Sequence, residues 1–339
     1  MGIDASLIAA AACDNTPLTE YRVARENVNP SDAQAIRRRA LVALSNNRIP
    51  GYHFGGYFVD LQCSRYETGG VVMEMDSGPH NANADGSTHL GAVLFLADMA
   101  LASSCRVFVD PTRRTATLSI EVRLSGEPAR GRLRAEACSD GFKDRTALPQ
   151  AHCTGRVLAQ GHEVMRMSGA WVAPPAPEGR TLYPLPWEPG YQHADTPILK
   201  AKDLDQSERA VLRRVDQALR AAKHGEFMRC FWDPGIRHTS YGAVSRLPVG
   251  MYVGNRVGHV QGGFTLNTAV ATAVAAVPHH PLLTAVSAWY ISPGQGKALR
   301  TRATVLQKGR NVAVVRTEVF ATGGNRVLEA ISNHALAAK

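Results

Sequence analysis

Asp98 stands inside an otherwise apolar run, Ala92-Val-Leu-Phe-Leu-Ala-Asp98-Met-Ala-Leu-Ala. A helix apolar nearly all round must be buried on most sides. An unpaired carboxylate there costs on the order of several kcal/mol, so it needs a partner or a purpose. Burial also lifts its pKa toward the range that suits a general base. The plainer reading is an Asp bonded to a neighbouring strand or helix end. Ahead of this run lies Asn83-Ala-Asp-Gly86-Ser-Thr-His89-Leu90-Gly91, and ahead of a second apolar run lies Asn255-Arg-Val-Gly258-His-Val-Gln261-Gly262-Gly263. A Gly-containing loop that opens a helix offers free backbone N–H groups and the positive end of the helix dipole. Glycine also lets a ligand carbonyl come close. A carboxylate activates water or attacks a carbonyl itself. Preorganised N–H donors hold the oxyanion that results. Gln261 can orient a carbonyl or a water, because an amide both donates and accepts.

The elements that must position these groups occur twice. The two loops sit at an offset of 172 residues, with Asn, Gly and the final Gly coinciding. Leu133-Arg134 then matches Leu299-Arg300, Ala137 falls against Ala303, and Gly155-Arg156-Val157-Leu158 resembles Asn325-Arg326-Val327-Leu328. Ordered matches of this kind point to duplication. The second apolar run spans Phe264 to Val277 and stops at Pro278. After each run come alternating segments: Leu118, Ile120, Val122 and Leu124; Leu133, Ala135 and Ala137; Leu299, Thr301, Ala303 and Val305. A period of two predicts a sheet with one dry face and one wet face. Turn signals fall at Asp140-Gly141, Gln160-Gly161, Lys308-Gly309 and Gly323-Gly324-Asn325. A buried helix and a one-sided antiparallel sheet cover each other's apolar faces. The fold class is therefore α+β: two tandem modules, each an antiparallel sheet wrapped around a central apolar helix. Their expected bounds are 30–173 and 206–339, with a Pro-rich linker over 174–205. Pro30 to Ser45 and Ser207 to Lys223 read as surface-packing helices that open the two halves.

Asn83-x-x-Gly86-x-x-His89-x-Gly91, followed by Asp98 nine residues after the His, resembles the signature of the PaaI-like hotdog thioesterases. The resemblance covers roughly 40–172 and, in partial form, 210–336. It implies hydrolysis of an acyl-CoA thioester without metal or redox cofactor. It implies sites shared between paired modules, the acid coming from one and the loop from the other. The halves depart from the pattern differently. The first keeps His89 and Asp98 but has Leu90 in place of a Gly. The second keeps Gly262 and Gly263 but has Gln261 for His and Val270 for the acid. One site complete by complementation is then expected: Asp98 facing Asn255, Gln261 and Gly262. Asp98 read with its own loop gives Asp98, His89 and Gly91 instead. Asn83, His89, Gly91 and Gly263 are substrate-binding candidates. The resemblance also implies a strand hydroxyl that helps hold the water; Thr115 falls close to that position, and Thr117 is next on the same face. The rival readings are an enoyl-thioester hydratase using Asp98 with His89, and a non-catalytic acyl-CoA-binding protein.

Composition narrows the field further. The net charge of +9 invites phosphate-bearing ligands, but the basic residues are dispersed and no nucleic-acid motif accompanies them. Arg123, Arg130, Arg132, Arg134, Lys297, Arg300 and Arg302 are candidate cations for coenzyme A phosphates, most of them expected on solvated faces. The six cysteines form no CxxC pair, and no HExxH occurs among the histidines. This fits reduced thiols in a cytoplasmic protein. No apolar run is long enough for a membrane span. Gly2 and Ser6 have the spacing of a myristoylation site, a short pattern that often arises by accident. Hotdog pairs often associate further, so a dimer of the double module is expected.

Overall fold

The computed structural model describes residues 28–110, 112–143, 148–194 and 196–337. Cys13 and the Gly2/Ser6 pattern lie outside them. The first half runs α1 (Pro30–Asn47), α2 (Phe54–Phe58), β1 (Gln62–Glu67), β2 (Gly70–Asp76), α3 (Leu90–Arg106), β3 (Ala116–Leu124), β4 (Arg132–Lys143), β5 (Gln150–Ala159) and β6 (His162–Val172). The second repeats that order with α4 (Gln206–Ala221), α5 (Phe227–Trp232), β7 (Gly235–Thr239), β8 (Gly242–Pro248), α6 (Gly262–Ala276), β9 (Leu282–Tyr290), β10 (Ala298–Lys308), β11 (Val312–Phe320) and β12 (Arg326–Ala335).

Both sets of strands join one antiparallel sheet of twelve, in the order β1-β2-β4-β5-β6-β3-β9-β12-β11-β10-β8-β7. The second half of that order repeats the first in reverse, so the modules meet head to head where β3 pairs with β9. At this joint Ser119 to Arg123 lie opposite Trp289 to Ala285. Inside the curve, α3 and α6 pack against each other and against the strands of their own modules. Each module is a hotdog: the sheet wraps a helix too apolar to face water. The alternation sorts residues as expected. Leu133, Ala135 and Ala137 of β4 and Leu299, Thr301 and Ala303 of β10 are buried. Between them on the outer face, Arg134 and Arg156 pair with Glu136, and Arg302 with Glu318.

Four sequence expectations change in the structure. Leu118 leaves the buried face, because a β-bulge between Thr117 and Ser119 shifts the phase of β3. Asp140-Gly141 is no turn; it forms an irregularity within β4, with Gly141 at φ +78°. Gly155–Leu158 lies on β5 but Asn325–Leu328 opens β12, which is the counterpart of β6. That sequence match is therefore not part of the repeat. Short strings of alternating Arg, Val and Leu recur in any one-sided sheet. Finally, the Pro-rich stretch is tied down. Glu188 accepts from the Leu185 N–H, from the Tyr66 hydroxyl and from the Arg106 guanidinium at 2.6 Å. Leu199 N–H and Thr196 are held by Ser45 and Asn46 of α1.

Candidate active site

Asp98 lies near the middle of α3, on the side that meets the N-terminus of α6. It is 3% exposed. Gln261 is the N-cap of α6, its Oε1 accepting from the Phe264 N–H at 3.2 Å. That bond aims the other end of the amide across the module boundary, where Nε2 donates to Asp98 Oδ2 at 2.5 Å. The Thr117 hydroxyl of β3 donates to Oδ1 at 3.4 Å. The carboxylate rests over the backbone of Gly262: a Cβ placed there would stand 2.9 and 3.0 Å from its two oxygens. Only glycine leaves that space open. Gly262 N–H has no acceptor among the described residues, while its carbonyl accepts from the Tyr290 hydroxyl at 2.9 Å. Burial pushes the Asp98 pKa up to about 6, against the opposing pull of Gln261, the Gly263 N–H and Thr117. Burial also raises Tyr290 well above its ordinary value, and the Asp98 charge adds to it.

These groups line a cleft of about 350 Å³ between the modules, walled partly by Met99, Trp171, Leu185 and Val260. His53, the N-cap of α2, also lines it. Its Nδ1 accepts from the Gly56 N–H at 3.3 Å, so the proton sits on Nε2. Burial, with a smaller push from Arg256, lowers its pKa to about 3, and the ring is neutral at ordinary pH. Sequence gave no signal for His53 or Tyr290, since neither belongs to the repeated loops.

The remaining candidates scatter. Asn255 lines the cleft, but its Oδ1 is spent on the N–H groups of Val257 and His259, both at 3.0 Å. Asn83 holds its own loop through Ser87. His89 caps α3, with Nδ1 accepting from Gly91 N–H at 3.1 Å. Its Nε2 lies 3.3 Å from Asp233 Oδ2. The other oxygen of Asp233 accepts from Asn267 of α6 at 3.0 Å. Asn83, His89 and Gly91 are therefore absent from the Asp98 cleft. They belong to the pseudo-symmetric position, where Leu90 and Val270 replace Gly262 and Asp98. A Cβ on Gly91 would collide with Asn267, and one on Gly263 with the backbone of Phe95, so both glycines serve helix contact. An Asp98–His89 dyad does not form. Nine residues of helix separate the two by about 13 Å along the axis, and His89 faces Asp233. Thr115 lines the cleft, but the hydroxyl that reaches Asp98 is that of Thr117. The bulge brings Thr117 onto the inner face, opposite buried Trp171. None of the seven strand and loop cations singled out from sequence lines the cleft. Arg132, Arg134 and Arg302 are engaged by Glu74, Glu136 and Glu318.

Residues 254–334 match the family model described as the acyl-CoA thioesterase N-terminal domain. The match falls on the second module, although the fuller loop-and-acid motif lies in the first. Among curated proteins none matches the chain in sequence. Two similar solved structures are a protein assigned as an oleoyl thioesterase from Lactobacillus plantarum and the 12:0-ACP thioesterase from Umbellularia californica. The first is 10% identical, covering 79% of this chain and 96% of its own at a TM-score of 0.51. The second is 13% identical, covering 78% and 94% at a TM-score of 0.50. These likenesses concern the fold. The domain match and the double-hotdog architecture together support a thioester hydrolase.

Proposed function

We propose that the chain hydrolyses acyl-CoA thioesters at one site per chain, with Asp98 as general base. The observation that carries this reading is the bond between Gln261 and Asp98 across the module boundary, with Gly262 beneath the carboxylate. A water beside Asp98, Gln261 and Thr117 loses a proton to the carboxylate as its oxygen attacks the thioester carbonyl. The Gly262 N–H at the start of α6 receives the oxyanion. Collapse of the tetrahedral intermediate breaks the C–S bond. The proton held by Asp98 passes to the leaving sulfur, so water and thioester become acid and thiol. Both carboxylate oxygens already accept hydrogen bonds, which suits a base better than a nucleophile. The pseudo-symmetric position has Val270 for the acid and Leu90 over the loop, and takes no part.

The test is thiol release from short, long and aromatic acyl-CoAs by the native protein and by Asp98→Asn. Loss of a base is worth about 10²–10⁴-fold in rate, so we expect kcat to fall by at least about 100-fold. Native turnover should require the ionised acid and decline as pH drops through about 6. Absence of turnover on every substrate, with tight acyl-CoA binding retained, would favour the non-catalytic reading. Turnover indifferent to Asp98→Asn would place the chemistry elsewhere.

A further inference from the structure

The cleft that holds Asp98 carries an excess of positive charge. Arg106, Arg114 and Arg256 line it, beside His259, whose pKa burial and the nearby arginines lower toward the neutral ring. Arg180 reaches the same loop, its guanidinium 3.5 Å from where a Cβ on Gly258 would lie. Arg106 is neutralised by Glu188 at 2.6 Å. The other three guanidiniums pair with no carboxylate among the described residues. Arg256 donates to the Tyr183 carbonyl at 2.9 Å, and Arg114 Nε is buried without any partner. The groups sense one another. After burial, Arg106 and more weakly Arg114 depress the pKa of Arg256 against the opposing pull of Glu188, and Arg114 and Arg180 depress that of His259. A fold does not hold three uncompensated guanidiniums together without cost. Their arrangement suits an anion that arrives from outside.

We propose that Arg114, Arg180 and Arg256 form the subsite for the phosphates of a nucleotide-bearing thiol carrier, the pyrophosphate and 3′-phosphate of coenzyme A. The proposal rests on the thioesterase reading for the identity of the ligand. Guanidinium forks match phosphate oxygens and bind them through paired charge-assisted bonds. Arg106 follows Asp98 by eight residues of α3, about 12 Å along the axis, so the cationic end of the cleft stands apart from the carboxylate, within reach of a pantetheine arm. The single phosphodiester of a carrier-protein arm brings too little charge to balance three cations; the nucleotide carrier brings more. The subsite also fixes direction: the nucleotide lies beside the Pro-rich stretch that supplies Arg180, and the acyl group points away from it. Arg256 lies in the second loop but at a position the two copies do not share, and Arg114 and Arg180 lie outside both loops, so sequence alone did not mark them.

The experiment measures binding of free CoA and of 4′-phosphopantetheine by calorimetry. It also measures hydrolysis of one acyl group carried on CoA and on N-acetylcysteamine, which has no phosphate. The variants are Arg114→Gln, Arg256→Gln and Arg180→Glu, the last chosen because its side chain is exposed. A charge-assisted contact is worth enough to weaken binding by about tenfold or more when lost. We expect each variant to weaken CoA binding by that factor and to raise KM for acyl-CoA alike. The loss in kcat/KM should be larger on acyl-CoA than on the N-acetylcysteamine thioester. Native protein should bind CoA more tightly than phosphopantetheine, with an affinity that falls as salt rises. CoA affinity unchanged in all three variants, equal losses on both thioesters, or equal affinity for CoA and phosphopantetheine would overturn the proposal. If no thioester is hydrolysed at all, the binding measurements still decide it.

Discussion

Asp98 is held in a state that serves reaction better than stability. Its folded pKa of about 6 exceeds the ordinary 3.8. The neutral acid is thus favoured by folding, and that contribution is fully present below about pH 4 and lost as pH rises through 6. The difference corresponds to about 3 kcal/mol. Asp98→Asn removes the buried charge while keeping the shape. It should therefore raise the unfolding free energy by about 1–3 kcal/mol at pH 8, with the gain shrinking toward pH 4, as denaturant titrations at both pH values would show. A carboxylate with no functional cost would give the opposite sign. At the same scale, Thr117→Val should lower kcat by roughly tenfold, the worth of one hydrogen bond of about 1.4 kcal/mol. Thr115→Val should change it far less. Steady-state kinetics of the pair would reverse this assignment if Thr115 proved the more costly. Asp98 itself was legible in sequence, because a lone acid in an apolar helix is conspicuous. The choice between the two threonines was not. It depends on a one-residue bulge, and alternation by itself cannot reveal where its own phase slips.

At the scale of elements, the two helix N-termini begin as copies and end as opposites. At α6, Gln261 caps the helix and reaches Asp98, and Gly262 leaves room for the carboxylate. At α3, His89 caps the helix and turns to Asp233, which also binds Asn267. One terminus is open toward a cleft and the other is closed by a polar clasp between modules. Titration with CoA or a non-hydrolysable acyl-CoA should therefore saturate at one equivalent per chain. Two equivalents of equal affinity would show that the clasped position also binds. The sequence departures at Leu90, Gln261 and Val270 already marked the halves as unequal. That His89 would find Asp233 was invisible, since Asp233 lies 144 residues away at the end of a short helix outside the repeated loops.

At the scale of the molecule, the two modules share one sheet, and the main apolar core runs through both. The stretch between them is a strap rather than a free linker. Its anchor is Glu188, which burial would push toward the neutral form but which Arg106 holds below the usual carboxylate range. This contribution is present above the ordinary Glu pKa of about 4.5 and lost as pH falls below it. Glu188→Gln strands the buried Arg106 charge and should cost about 3 kcal/mol near neutral pH, since removal of one partner of a buried pair leaves the other uncompensated. Chemical denaturation would measure it, and a loss below about 1 kcal/mol would mean the strap is held by its other contacts.

The sequence by itself determined the two tandem sheet-and-helix modules, their buried helices, the one-sided sheet and the acid at position 98. These follow from periodicity, from apolar composition and from repetition along the chain, all of which act locally. The tertiary structure alone decided which loop Asp98 meets, which threonine serves it, and which arginines stand unpaired in the cleft. Each of those outcomes depends on the register between β3 and β9 and on the close approach of α3 to α6. Such contacts are set by packing between residues far apart in the chain, and no local pattern records them.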